Sequence, residues 1–202
     1  MNDSPEAPAS IASATAGPVL FWTPCLSLLA VDQASKQWAV RESERLVREP
    51  VEVIDGLLRF TYVTNPGAAF SLFSGSPGIL TVLAGLALVA IFLFRRQLEL
   101  DQPANQLLFG LICGGISGNL WDRLFRGGEV VDFIDAYLPF FKPIDDLDIL
   151  PIQLANWPVF NLADSGIFIG VIWFVIRGFR KSAREQTEKS SGEDDHESAK
   201  PE

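Results

Sequence analysis

Asp164 is the only charged residue in the apolar run from Phe160 to Ile176. A carboxylate in such a segment is costly, so it calls for a functional reading and a partner. Most catalytic schemes are excluded at once. The single histidine, His196, lies in a polar tail, which removes Ser-His-Asp and Cys-His catalysis and HExxH zinc chemistry. Neither a P-loop nor a dinucleotide fingerprint occurs. Ser35 and Lys36 are adjacent, about 100° apart on a helix, so they cannot pair directly. Carboxylates are left. Asp132 sits among apolar residues in Val130-Val131-Asp132-Phe133-Ile134, after the Gly127-Gly128 break. Two carboxylates brought close cannot both ionise easily, so the pair holds one proton. Its base can activate a water and its acid can protonate a leaving amine, with no metal, cofactor or nucleophilic side chain. Spacing alone does not choose the partners, because Asp122, Glu129 and Asp135 also lie near Asp132.

The elements that must position these acids read as membrane spans. Pro18 to Val31, Gly78 to Phe94 and Asn105 to Trp121 carry no charge, and Phe160 to Phe179 is long enough to cross a bilayer. Each is close to the ~20 residues that span a hydrocarbon core. The first reaches that length only by continuing through Asp32 and Lys36 to about Val40. Those two residues stand at i and i+4 with the acid first, the spacing of a structural ion pair. The expected fold is therefore a membrane all-α four-helix bundle, residues 18–182, between disordered tails at 1–17 and 183–202. The first span lacks the basic flank of a cleavable signal peptide. Cys25 and Cys113 fall inside spans, where they pack as small apolar groups. The formal charge of −9 gives no reason to expect a nucleic-acid partner.

Basic residues are dense beside two span ends: Arg95 and Arg96 after the second, and Arg177, Arg180, Lys181 and Arg184 after the fourth. The positive-inside rule then puts both termini in the cytoplasm and segments 41–77 and 126–159 outside. With that orientation Asp32, Asn119, Asp122, Asn161 and Asp164 gather near the outer leaflet, as one site at one interface. In the first outer loop VEVI and LLRFTYV flank Asp55-Gly56, a strong hairpin signal. The following Asn65-Pro66-Gly67-Ala68-Ala69-Phe70 is either an ordinary turn or a place where backbone approaches a bound chain closely. Segment 139–158, mixing aromatics, acids and proline, reads as a lid on the membrane surface or as a plain connecting loop.

Five motifs in order now carry a resemblance: Asp32-Gln33-Ala34-Ser35-Lys36, Asn65-Pro66-Gly67-Ala68-Ala69-Phe70, Gly114 to Arg123 (GGISGNLWDR), Val131-Asp132-Phe133-Ile134 and Phe160-Asn161-Leu162-Ala163-Asp164-Ser165. Together they resemble lipoprotein signal peptidase, signal peptidase II, over all four spans and both outer loops. The resemblance implies an inner-membrane aspartic endopeptidase. Its substrates would be diacylglyceryl-modified prolipoproteins, cut just before the lipidated cysteine. It implies no cofactor and no metal, contact with membrane lipids, and a monomer. By motif position Asp132 and Asp164 match the catalytic pair. Asn65, Gly67, Asn119, Arg123 and Asn161 match substrate-contacting or dyad-supporting positions, whereas Asp32, Lys36 and Asp122 are structural polar residues. The connection from Asp132 to Asp164 is longer and more acidic than the family leads one to expect. The rival reading is a non-enzymatic polytopic membrane protein, a transporter subunit or assembly factor. It would keep its function when the acids are replaced by amides.

Overall fold

A computed structural model describes residues 18–67, 77–147 and 155–197. The expected N-terminal tail, residues 68–76 of the first outer loop and 148–154 of the second lie outside them. In chain order the elements are α1 Val19–Arg41, α2 Ser43–Arg48, β1 Val51–Ile54, β2 Leu58–Asn65, α3 Pro77–Leu93, α4 Pro103–Phe125, β3 Val130–Ala136, the short α5 Lys142–Asp145 and α6 Leu162–Glu197. The four long helices fall on the four expected runs. By length and composition only Leu162–Arg184, among the described residues, is apolar enough to cross a membrane, and Gly78–Leu93 is apolar but shorter. The polar residues inside α1 and α4 are what separate those two helices from the pattern. All four nonetheless expose large apolar side chains, among them Trp22 and Leu26, Val82 and Leu86, Leu107 and Trp121, and Phe168 and Trp173.

α4 is the central helix, packed closely between α1 and α6, with α3 resting on it less extensively. Glycines make this possible. A methyl at Gly114 would come within 2.6 Å of the Cys25 carbonyl oxygen, and one at Gly118 within 2.5 Å of the Asp32 carboxylate. The helix axes can approach only because nothing projects there, the small-residue packing typical of membrane helices. Pro103 opens α4 at a position whose N–H would have no partner within the helix, so proline loses nothing there,. After Phe125 the chain turns through Gly127 and Gly128, with φ of 71° and 92°, a backbone region open to glycine at no steric cost. That turn returns the chain onto the bundle as β3.

The hairpin forms at the expected place. β1 and β2 pair antiparallel around Asp55-Gly56-Leu57, with Gly56 at φ 66°. The sequence reading missed a third strand. β3 pairs antiparallel with β2, giving the order β1-β2-β3 and setting Val63 opposite Asp132 and Asn65 opposite Val130. The far edge of β3 is covered by backbone hydrogen bonds between Phe160 and Phe133 and Ile134. A core of Ala39, Leu46, Val131, Phe133 and Ile134 fastens the sheet to the end of α1. The Trp38 ring meets Phe60 and Phe133 edge-on, at 5.5 and 6.2 Å between centroids, a favoured aromatic geometry.

Two expectations change. Segment 139–147 is not a plain loop but a 3-10 turn at Pro139–Phe141 running into α5. Its base is pinned to Ala155, whose carbonyl accepts the Leu138 N–H and whose N–H donates to Asp145. The C-terminal segment, expected to be disordered from 183, continues α6 to Glu197. Ala, Arg, Glu, Gln and Lys dominate the start of that extension, and all are strong helix formers that need no burial to prolong an existing helix.

Candidate active site

Helix α6 begins with a reciprocal cap. Asn161 Oδ1 accepts the Asp164 N–H at 2.9 Å, while Asp164 Oδ2 accepts the Asn161 N–H at 3.2 Å. This is the capping-box arrangement, with Asn and Asp in the roles usually taken by Ser or Thr and Glu. It gives Asp164 a local reason to stand at the start of an apolar helix, where the N–H groups and the dipole favour a negative charge. The other Asp164 oxygen, Oδ1, accepts from Asn119 Nδ2 at 2.7 Å. Asn119 comes from α4, so α4 and α6 meet at this carboxylate.

Asp132 arrives from β3. Its Oδ1 accepts from Asn161 Nδ2 at 2.7 Å and its Oδ2 from Asn65 Nδ2 at 3.0 Å. Strand pairing brings Asn65 to the site, and Asn65 Oδ1 then accepts the Gly67 N–H at 3.0 Å, a local Asx turn. Asp132 is buried, at 2 % exposure, whereas Asp164 is half-buried. Burial pushes the Asp132 carboxyl up to about 7. The Asp164 charge adds to the rise, against the hydrogen bonds from Asn65 and Asn161 and the charge of Lys36. No cation touches Asp132 among the described residues, and its hydrogen-bond donors are side-chain amides.

Beneath this pair lies a second group of acids. Lys36 Nζ lies 2.9 Å from Asp32 Oδ2 and 3.0 Å from Asp122 Oδ2, and none of the three side chains is exposed. The i, i+4 pair of Asp32 and Lys36 stands as expected. Asp122 as a second partner was not foreseen, nor was Gln33, whose Nε2 reaches Asp32, Asp122 and the Gly118 carbonyl at 3.0–3.2 Å. Arg126 adds a contact to Asp122 at 3.2 Å. Its i, i+4 spacing from Asp122 was the available signal. Nothing in Gln33 itself pointed to its role. Each acid also holds a backbone group beside one member of the upper pair. Asp32 Oδ1 accepts the Ala163 N–H at 2.9 Å, and Asp122 Oδ2 accepts the Val131 N–H at 3.2 Å.

Arg123 lies at the rim. Its Nη1 and Nη2 sit at the long limit of hydrogen bonding to the Asn119 and Gly67 carbonyls, 3.4 and 3.5 Å, and its buried Nε has no partner among the described residues. The structure thus gathers all ten residues singled out from the sequence into one constellation.

A family model described as signal peptidase (SPase) II matches residues 25–180. The chain belongs to the signal peptidase II family. Lipoprotein signal peptidases from Nostoc punctiforme and Syntrophomonas wolfei are 39% and 37% identical to it. Their alignments cover 81% and 82% of this chain and 91% and 97% of the relatives. Two solved bacterial membrane enzymes share the fold. One has a TM-score of 0.66 at 26% identity and covers 80% of this chain and 88% of its own. The other has a TM-score of 0.59 at 28% identity, covering 78% and 90%. The segment matched by the signal peptidase II model contains the whole constellation, from Asp32 to Asp164. Membership makes the chain a membrane peptidase of lipoprotein processing.

Proposed function

We propose that this signal peptidase II is an aspartic endopeptidase working within the membrane, with Asp132 and Asp164 as its catalytic pair. It removes the signal peptide of diacylglyceryl-modified prolipoproteins by cutting before the lipidated cysteine. The observation that carries the reading is a pair of carboxylates on β3 and α6 whose side-chain donors are the amides of Asn65, Asn119 and Asn161. Amides orient a carboxyl group without fixing its charge. Asp132, held up to about 7, carries the proton near neutral pH, and Asp164 is the base. Water oxygen attacks the scissile carbonyl carbon as Asp164 takes the water proton, while Asp132 protonates the carbonyl oxygen. When the C–N bond breaks, a proton passes to the leaving amine and the carbonyl re-forms, so the pair ends with the one proton it began with. The long contacts of the Arg123 Nη atoms fit a guanidinium that binds main-chain carbonyls of an extended substrate.

We further read the four long helices as four spans, with both termini cytoplasmic, the site near the outer leaflet and the enzyme a monomer. The exposed apolar side chains on all four helices support the four spans, since surfaces of that extent face another apolar phase. A lipid-anchored substrate keeps its acyl chains in the bilayer, each buried methylene contributing ~0.8 kcal/mol to partitioning. Its scissile bond therefore meets the site at the interface. Purified protein incubated with a diacylglyceryl-modified prolipoprotein should yield the shortened product on a gel, with the unlipidated form cut far more slowly. Equal rates on both forms would overturn the interfacial reading, and cleavage of neither would overturn the activity.

A further inference from the structure

Lys36 contacts neither member of the catalytic pair, yet it determines which way the amide beside Asp164 faces. An ammonium group only donates hydrogen bonds, so the Asn119 atom 2.9 Å from Lys36 Nζ must be the carbonyl oxygen. Asn161 Nδ2 approaches the same oxygen at 3.2 Å. The polarity of Asn161 is set independently, because its Oδ1 accepts the Asp164 backbone N–H. Two groups that can only donate therefore face Asn119 Oδ1. The Nδ2 atom is left for Asp164, 2.7 Å away. Turned over, the amide would set oxygen against a carboxylate oxygen and NH2 against an ammonium, and both contacts would be repulsive. Donor and acceptor parity thus fixes the orientation of the Asn119 amide.

Lys36 is itself immobilised. Asp32 and Asp122 hold it at 2.9 and 3.0 Å with no exposure, and the same acids grip the Ala163 and Val131 N–H groups. We propose that Lys36 is a positioning residue for the peptidase reaction, fixing the donor polarity of Asn119 and so keeping a hydrogen bond aimed at the Asp164 carboxylate. The inference rests on Asp132 and Asp164 being the catalytic pair.

The test uses the full chain in detergent with a diacylglyceryl-modified prolipoprotein. Asp132→Asn and Asp164→Asn, each expected to be inactive in the same assay, check that underlying reading separately. Asp32→Asn with Lys36→Met removes one acid and one base together. The double variant should lose at least tenfold in kcat at unchanged KM, and the acidic limb of its pH profile should move to higher pH. Adding Asn119→Ala to it should cost nothing more. Wild-type kcat in the double variant, or a loss that multiplies with that of Asn119→Ala, overturns the proposal. Asn119→Asp keeps an acceptor for Lys36 and, read at alkaline pH where its carboxyl is ionised, removes the donor, so it probes polarity even where the double variant does not purify. With a second carboxylate set against Asp164, it should lose at least tenfold in kcat and move the acidic limb to higher pH. Wild-type kcat in Asn119→Asp also overturns the proposal.

Discussion

Two pairs of aspartates lie one above the other at the same end of the bundle, and they differ in what stands between them. Asp32 and Asp122 share a fully buried lysine. Asp132 and Asp164 are joined through asparagines, with Asn161 donating its side-chain amide to one and its backbone N–H to the other. A buried cation between two acids needs both as partners, which makes their geometry a condition of folding. Neutral amides hold the same geometry but leave one proton free to change place. The lower pair is therefore suited to structure and the upper pair to chemistry, although the four side chains are the same.

The largest effect should come from removing that exchangeable proton. Asp132→Asn and Asp164→Asn should each reduce cleavage by at least about 10²–10⁴-fold, the range for loss of an acid–base partner, while the protein still inserts and purifies. Near-normal turnover by either variant would remove the distinction between the pairs. Breaking the lower pair should instead act on folding. Asp122→Ala strands part of a buried charge cluster, for which a loss of about 3–5 kcal/mol is expected. Unfolding in detergent should show it, and unchanged stability would mean that the lower acids are not a condition of folding.

A third prediction uses pH. With its carboxyl raised from 3.8 to about 7, Asp132 keeps in the folded chain a proton that the unfolded chain has lost. Stability should fall as pH rises from about 4 through about 7 and level off above. Asp132→Asn lacks this dependence. Stability should shift in the variant's favour relative to wild type across that window, by at most about 1.4 kcal/mol per pH unit. A constant difference between pH 4 and 8 would show that Asp132 does not carry the proton. The smallest effect concerns the rim. Arg123→Lys keeps a charge but loses the planar fork, and kcat/KM should fall about tenfold, or about 1.4 kcal/mol. Unchanged kcat/KM would make Arg123 an anchor at the headgroups.

What could be read in the sequence follows from the range of the interaction. The four long helices were legible as long apolar runs with few or no charges, the hairpin from Asp55-Gly56, and the pairing of Asp32 with Lys36 from its i, i+4 spacing. Each of these is written within a few residues. β3 was missed because Val130–Ala136 is buried through its first five residues and so lacks the alternation that marks a half-exposed strand. The contact between Lys36 and Asn119 spans 83 residues, and no local pattern announces it. The partnership of Asp132 and Asp164 was one choice among several acids until the five motifs were taken together. Only the strand pairing and the start of α6 show why those two meet.

The hydrogen bond from Ala163 to Asp32 joins positions 131 residues apart, and on the four-span reading it has a consequence for biogenesis. The first helix emerges from the ribosome long before α4 and α6 exist, carrying an acid and a base into the bilayer without their final partners. Because Asp32 and Lys36 lie on one helical face, they neutralise each other from the moment α1 forms, which lets the helix wait in lipid. Arrival of α4 adds Asp122 to the waiting lysine, and arrival of α6 supplies the Ala163 N–H together with Asp164. The site is closed only when α6 joins α1 and α4, so a nascent chain has no peptidase to release before α6 has been inserted.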